Sequence, residues 1–131
     1  MKELIEQIKQ WGADKGITGP NGKGTLLGQL SKTQEELTET RDAAVEWGMN
    51  DFDEIGHDIA MGELKDGIGD TTITLILAAE MSGLDFEDCV QAAYNEIKER
   101  TGSMVNGIFV KNVKVHTPLP ASASVETGVK L

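Results

Sequence analysis

Soft metal ligands are scarce in this chain. It holds one cysteine, Cys89, and two histidines, His57 and His116. A single thiol excludes an internal disulfide and any cysteine-based metal framework. Cys89 lies beside Val90 in an apolar helical pattern, which predicts a buried, unreactive thiol. Cations are also few, with 12 Lys+Arg against 22 Asp+Glu and a formal net charge of −10. That balance disfavours a nucleic-acid polymer as partner, because neutralising a phosphate backbone needs clustered cations. It leaves room for a nucleotide held through divalent ions, which bring their own positive charge. No apolar run is long enough to span a bilayer, "ITLILAA" being too short. The start, "MKELIEQIKQW", is charged throughout and lacks the apolar core of a secretory signal. These features predict a soluble cytoplasmic protein without a membrane partner, and 131 residues suit one domain.

The chain is rich in helical spacing. Leu4, Ile5, Ile8 and Trp11 predict a helix over residues 2–15. "GITGPNGKG" then reads as a loop. It lacks the lysine of a phosphate loop before Thr25, since Lys23 precedes Gly24 instead, and so offers one cation on a flexible connection. A second helix is expected from about Thr25 to Glu46, with Leu26, Leu30, Thr33, Leu37 and Ala44 as its packing stripe. A third covers about His57 to Ser82 and is apolar on nearly all sides in "ITLILAAEM", with Gly83 as its stop. Asp85 caps a fourth helix that ends near Arg100 or Thr101. "SMVNGIFVKNVKV" places two β-rich runs around Asn106-Gly107, the pattern of a hairpin. The fold class expected is all-α, an antiparallel four-helix bundle with a small C-terminal β-hairpin. Residues 1–115 form its single domain and 116–131 a flexible tail. Trp and Leu on several faces predict a homo-oligomer, dimer or tetramer.

One stretch is at odds with its helix. "GELKDGIGDTT", Gly62 to Thr72, interleaves three glycines with three acids. Gly62, Gly67 and Gly69 each cost about 1 kcal/mol against alanine inside a helix, unless bulk must be kept out there. The acids Glu63, Asp66 and Asp70 share one helix face. On the preceding helix Glu36 and Glu39 share another, with Glu35 beside them and Lys32 one turn earlier. Face to face, such clusters repel and raise each other's pKa unless hard cations sit between them. Mg²⁺ suits that place, since it takes one or two carboxylates, keeps waters and binds phosphates in its other positions.

At these residues the sequence resembles the MazG family of all-α nucleoside triphosphate pyrophosphohydrolases, in particular its short single-domain bacterial and phage members. The family's Lys-x-x-Glu-Glu-x-x-Glu is matched by "KTQEELTE", Lys32 to Glu39. Its Glu-Leu-Gly-Asp followed by an apolar run is matched by "GIGDTTITLILAA", and "ELKD" before it is also family-like. "YNEIKERTG" is similar to the later Asn-x-x-Lys-x-x-Arg segment, with Arg100 offset by one. The likeness spans about residues 25–107. It implies metal ligation by Glu36, Glu39, Asp66 and Asp70, with Mg²⁺ as cofactor and Mn²⁺ as a substitute. It implies a catalytic role for Glu35 and Glu36, activating a water that attacks the α-phosphorus. Lys32, Asn95, Lys98 and Arg100 would bind the phosphates or sugar of a (d)NTP, and the hairpin would help hold the base; Trp11 and Trp47 read as core residues, with a share in holding the base as the alternative. The family's motif glutamate falls on Gly67 here, and Asp66 is its natural replacement.

Two other readings stay open. Glu54-x-x-His57 matches half of a di-iron motif, but the only other histidine, His116, lies in the tail. A catalytically degenerate chain that binds a nucleotide or another protein is the alternative that Gly67 favours.

Overall fold

In this computed structural model residues 1–49 and 54–113 are described. The elements are α1 (Lys2–Asp14), α2 (Leu26–Met49), α3 (Glu54–Met81), α4 (Phe86–Ile97), β1 (Gly102–Val105) and β2 (Ile108–Lys111). The described residues are therefore mostly helical, with four helices and one small antiparallel hairpin. None of the described helices is long and apolar enough to cross a membrane. The chain divides into two compact units, Met1–Ala93 and a second starting at Tyr94.

Local chemistry sets the helix ends of the first unit. Thr25 Oγ1 accepts the Gly28 N–H at 3.1 Å and so starts α2 one residue after itself. Thr25→Ala should lower stability by about 1 kcal/mol, read as an earlier midpoint in urea. At the end of α3, Gly83 takes φ +71 and Leu84 N–H donates to the Ala79 carbonyl at 2.9 Å. Only glycine enters that left-handed conformation freely, so the expected stop holds. Asp85 Oδ1 accepts the Asp88 N–H at 3.2 Å, the expected cap of α4.

Helices α2 and α3 run antiparallel. Gln29 Nε2 donates to the Thr74 carbonyl at 3.2 Å, whereas Thr40 further along α2 meets Thr71 and Gly67 further back on α3. The seam is made of small residues. Ala43, Ala60 and Thr74 are buried in it, and Thr33, Thr40 and Thr71 are half-buried. The stripe expected on α2 is thus displaced: Thr33 and Ala44 face inward, but Leu26, Leu30 and Leu37 remain exposed. Backbones that approach this closely admit Thr and Ala where Leu would push them apart. Helix α1 lies on the far half of α3, with Gly12 against Leu77 and Lys9 Nζ 3.4 Å from Glu80. Ile5, Ile76, Leu77 and Ala78 form the apolar core there, so the second half of α3 is the buried part, as its sequence predicts.

The loop between α1 and α2 is folded back on itself. Lys23 N–H donates to Gly16 O at 2.9 Å and Gly24 N–H to Ile17 O at 3.0 Å. Helix α4 has no buried residue, and Cys89 on it is exposed, which corrects the buried thiol expected from its apolar neighbours. Trp11 and Trp47 are also exposed, and the Trp47 ring lies 6.4 Å from that of His57 across the start of α3.

In the second unit Asn106 (φ +49) and Gly107 (φ +79) form the turn that the sequence predicts. The register pairs Met104 with Phe109 and Val105 with Ile108. The tail expected over 116–131 lies outside the described residues.

Candidate functional site

The glycines of α3 divide into two kinds. A Cβ at Gly67 would overlap the Thr40 hydroxyl and stand 3.0 Å from Thr40 Cβ and 3.1 Å from its Cα. Gly67 therefore sits where α2 comes closest. At Gly62 and Gly69 a Cβ would meet nothing within 4 Å. Close approach explains only the middle glycine, and the approaching group is a helix. Alanine at position 62 or 69 should stabilise the protein by up to about 1 kcal/mol, measurable as a later denaturant midpoint with an unchanged slope.

The Thr40–Gly67 contact also fixes where the acids point. Side chains turn by about 100° per residue along a helix. Measured from Thr40, Glu36 and Glu39 turn to one side of the seam. Measured from Gly67, Glu63, Asp66 and Asp70 turn to that same side, because the two helices are antiparallel. Thr40 stands level with Gly67 and Thr71, so Glu39 lies near the height of Asp70, with Glu36 about one turn to one side of that level and Asp66 about one turn to the other. The two acidic clusters thus flank one edge of one seam.

Lys32 is the cation of that edge. Its Nζ lies 3.2 Å from Glu35 Oε1 and 3.2 Å from Glu36 Oε1. Hydrogen bonds to Glu35 and then to Glu36 raise its pKa above the ordinary 10.5, so it stays charged at neutral pH. Glu36 is the most enclosed of the expected ligands, its side chain 12% exposed. Glu35, Glu39, Asp66 and Asp70 are exposed. No three Asp, Glu, His or Cys side chains among the described residues stand close enough together to share an ion. The donors fit a hard divalent cation in kind, being carboxylate oxygens on facing turns of two helices. Their tips stand apart here, with Lys32 neutralising the α2 pair.

The remaining expected residues belong to the second unit. Asn95 lies on α4, Lys98 just beyond its end, and Arg100 Nη2 is 3.9 Å from Glu96 Oε1. All three are exposed. His57 and Glu54 are exposed at the start of α3. A cavity of about 330 Å³ opens elsewhere, between α1, the end of α3 and the start of α4, lined by Ile5, Lys9, Ile76, Glu80, Leu84 and Phe86 among others. None of the expected site residues lines it.

Sequence spacing found both acidic clusters but missed Thr40 and Thr71. Thr40 donates its hydroxyl to Glu36 O at 2.7 Å, and Thr71 donates to Gly67 O at 2.8 Å. Each returns its hydrogen to its own helix, which leaves small, dry faces where the helices meet. A threonine four residues after Glu36 on α2 and another four residues after Gly67 on α3 are the signal that could have located the seam. Comparison with protein-family models, with curated proteins and with solved structures returned no match to this chain.

Proposed function

We propose that this chain is a Mg²⁺-dependent nucleoside triphosphate pyrophosphohydrolase, working in the cytoplasm as a homo-oligomeric helical bundle. One observation carries the reading. The antiparallel α2–α3 pair turns Glu36, Glu39, Asp66 and Asp70 to one edge of its seam, within about two helical turns of one another along the axes. Those four residues would hold Mg²⁺, or Mn²⁺ in its place. When bound, the ion supplies charge neutralisation for the phosphates and a lowered pKa for a water.

The chain's own residues carry the rest. Glu35 or Glu36 accepts a proton from the attacking water. The water oxygen bonds to the α-phosphorus as the bridge to the β-phosphate breaks, giving the (d)NMP and pyrophosphate. Lys32 turns from Glu35 and Glu36 to the phosphate oxygens. Positioning and charge stabilisation of this kind supply most of phosphoryl-transfer catalysis. Lys32→Met should raise KM about tenfold to a hundredfold, with a smaller fall in kcat, in steady-state pyrophosphate release. A change confined to kcat would give Lys32 a different role.

Hydrolysis in ¹⁸O-labelled water tests the bond assignment. The label should enter the monophosphate and not the pyrophosphate. Diphosphate and inorganic phosphate as products would overturn the reading. The second reading, a nucleotide or protein binder without turnover, is favoured by Gly67, because α2 fills the space that a carboxylate side chain would need at this position.

A further inference from the structure

Asn21 and Asn106 each precede a glycine. We infer that Asn106, at the tip of the β1–β2 hairpin, is a site of spontaneous covalent modification, whereas the loop around Asn21 holds that residue inert. An asparagine side-chain amide can be attacked by the backbone nitrogen of the next residue, and a following glycine has no Cβ to shield that nitrogen. Both places face the same requirements. The N–H must be free to lose its proton, and the chain must turn until the nitrogen meets the amide carbon.

The fold separates the two. Gly22 N–H donates to Gly19 O at 3.0 Å, so the nucleophile beside Asn21 is occupied. The adjoining backbone is pinned by Lys23 N–H on Gly16 O at 2.9 Å and Gly24 N–H on Ile17 O at 3.0 Å. Gly22 is half-buried, and a Cβ on it would collide with the backbone of the buried Thr18. Turning the chain at Asn21 therefore breaks hydrogen bonds and a packed contact together. At the hairpin tip, Asn106 and Gly107 are both exposed, and Gly107 N–H donates to no group among the described residues. With φ +49 and +79 the closed turn points that nitrogen away from the Asn106 side chain, so reaction needs the tip to open. Opening costs little there. Val105 and Ile108, the pair that closes the turn, are exposed and lose little burial when they part. The described strands have no third neighbour, and a lone two-stranded hairpin is marginal in water. Its fastening lies at the other end, where Asn112 N–H donates to Thr101 O at 2.9 Å and Asn112 Nδ2 to Thr101 Oγ1 at 3.1 Å. Local opening thus starts at the tip.

The reaction consumes only water. The Gly107 nitrogen gives its proton to hydroxide and bonds to Asn106 Cγ. The Cγ–Nδ2 bond breaks, and Nδ2 takes up a proton and leaves as ammonia. Water then opens the resulting succinimide. Opening at the side-chain carbonyl gives aspartate, and opening at the main-chain carbonyl gives isoaspartate. Either product adds a negative charge to the tip. Aspartate still suits the turn, since Asp-Gly is a preferred pair for it. Isoaspartate routes the chain through the side chain and adds a methylene to a two-residue turn, so Val105 and Ile108 no longer pair. None of this requires the hydrolase reading.

The test is incubation of the full chain in mildly alkaline buffer, followed by peptide mapping with mass spectrometry that separates aspartate from isoaspartate. In the folded protein, conversion at position 106 should run at least about tenfold faster than at position 21. In concentrated urea the two rates should come within about threefold of each other, because only the shared dipeptide then acts. Purified isoaspartyl chains should lack the cross-strand NMR contact between residues 105 and 108 that the parent shows. Equal rates in the folded protein, faster conversion at position 21, no conversion at position 106, or a difference that persists in urea would each overturn the assignment. An isoaspartyl chain that keeps the 105–108 contact would overturn the consequence drawn for the turn.

Discussion

Asp70→Asn should lower pyrophosphate release by at least about a hundredfold, the scale of losing one preorganised charge-stabilising contact. Asp70 is exposed on α3, so removing its charge leaves packing intact, and the helical circular dichroism and urea midpoint should stay near the parent's. The amide keeps the shape of the side chain but lacks the charge that a hard cation needs. Asp58→Asn is the matched control. It removes the same charge from the same helix but points away from the acidic edge, and it should retain activity. Equal activity in Asp70→Asn and the parent would detach the α3 acids from the reaction. Equal loss in both variants would reduce the effect to net charge.

The second large effect concerns the seam itself. Gly67→Ala should destabilise the protein by about 1–3 kcal/mol, although alanine is the better helix former by about 1 kcal/mol. Sterics outweigh propensity because the added carbon would stand 3.1 Å from the backbone Cα of Thr40, an atom that cannot rotate away. Thr40→Gly should relieve the clash in part, because it removes the hydroxyl and Cβ contacts but keeps the Cα. The pair would then show a coupling of about 0.5–3 kcal/mol in a double-mutant cycle by urea unfolding. Gly67→Glu, which would restore the carboxylate that the resemblance implies, should part α2 from α3 and gain no activity. If Gly67→Ala proved as stabilising as Gly69→Ala, the close approach of α2 at this position would be refuted.

Much of the fold is legible in local chemistry. Thr25, Gly83, Asp85 and Asn106-Gly107 fix their turns and caps through short-range hydrogen bonds and φ preferences, which a sequence displays directly. The packing stripe of α2 is less legible. Periodicity gives Leu26, Leu30, Thr33, Leu37 and Ala44 as the buried face, but the partner helix took the narrower face that keeps Thr33 and Ala44, adds Thr40 and Ala43 and leaves the leucines out. A sequence states which residues are apolar, not which of two apolar or small faces meets the partner within its own chain. Cys89 shows the same limit, since its apolar neighbours on α4 find no covering element among the described residues. The acidic clusters are legible as clusters. That they share one edge needed the antiparallel contact of Thr40 with Gly67, which links residues far apart in the chain.

The account rests on that acidic edge binding a magnesium–triphosphate and cutting it. Its most direct test is pyrophosphate release from a panel of nucleoside and deoxynucleoside triphosphates, with Mg²⁺ and with a chelator. The account predicts turnover of at least one member of the panel, abolished by the chelator and restored by Mg²⁺ or Mn²⁺. Nucleotide binding without release of pyrophosphate under any of these conditions would contradict it.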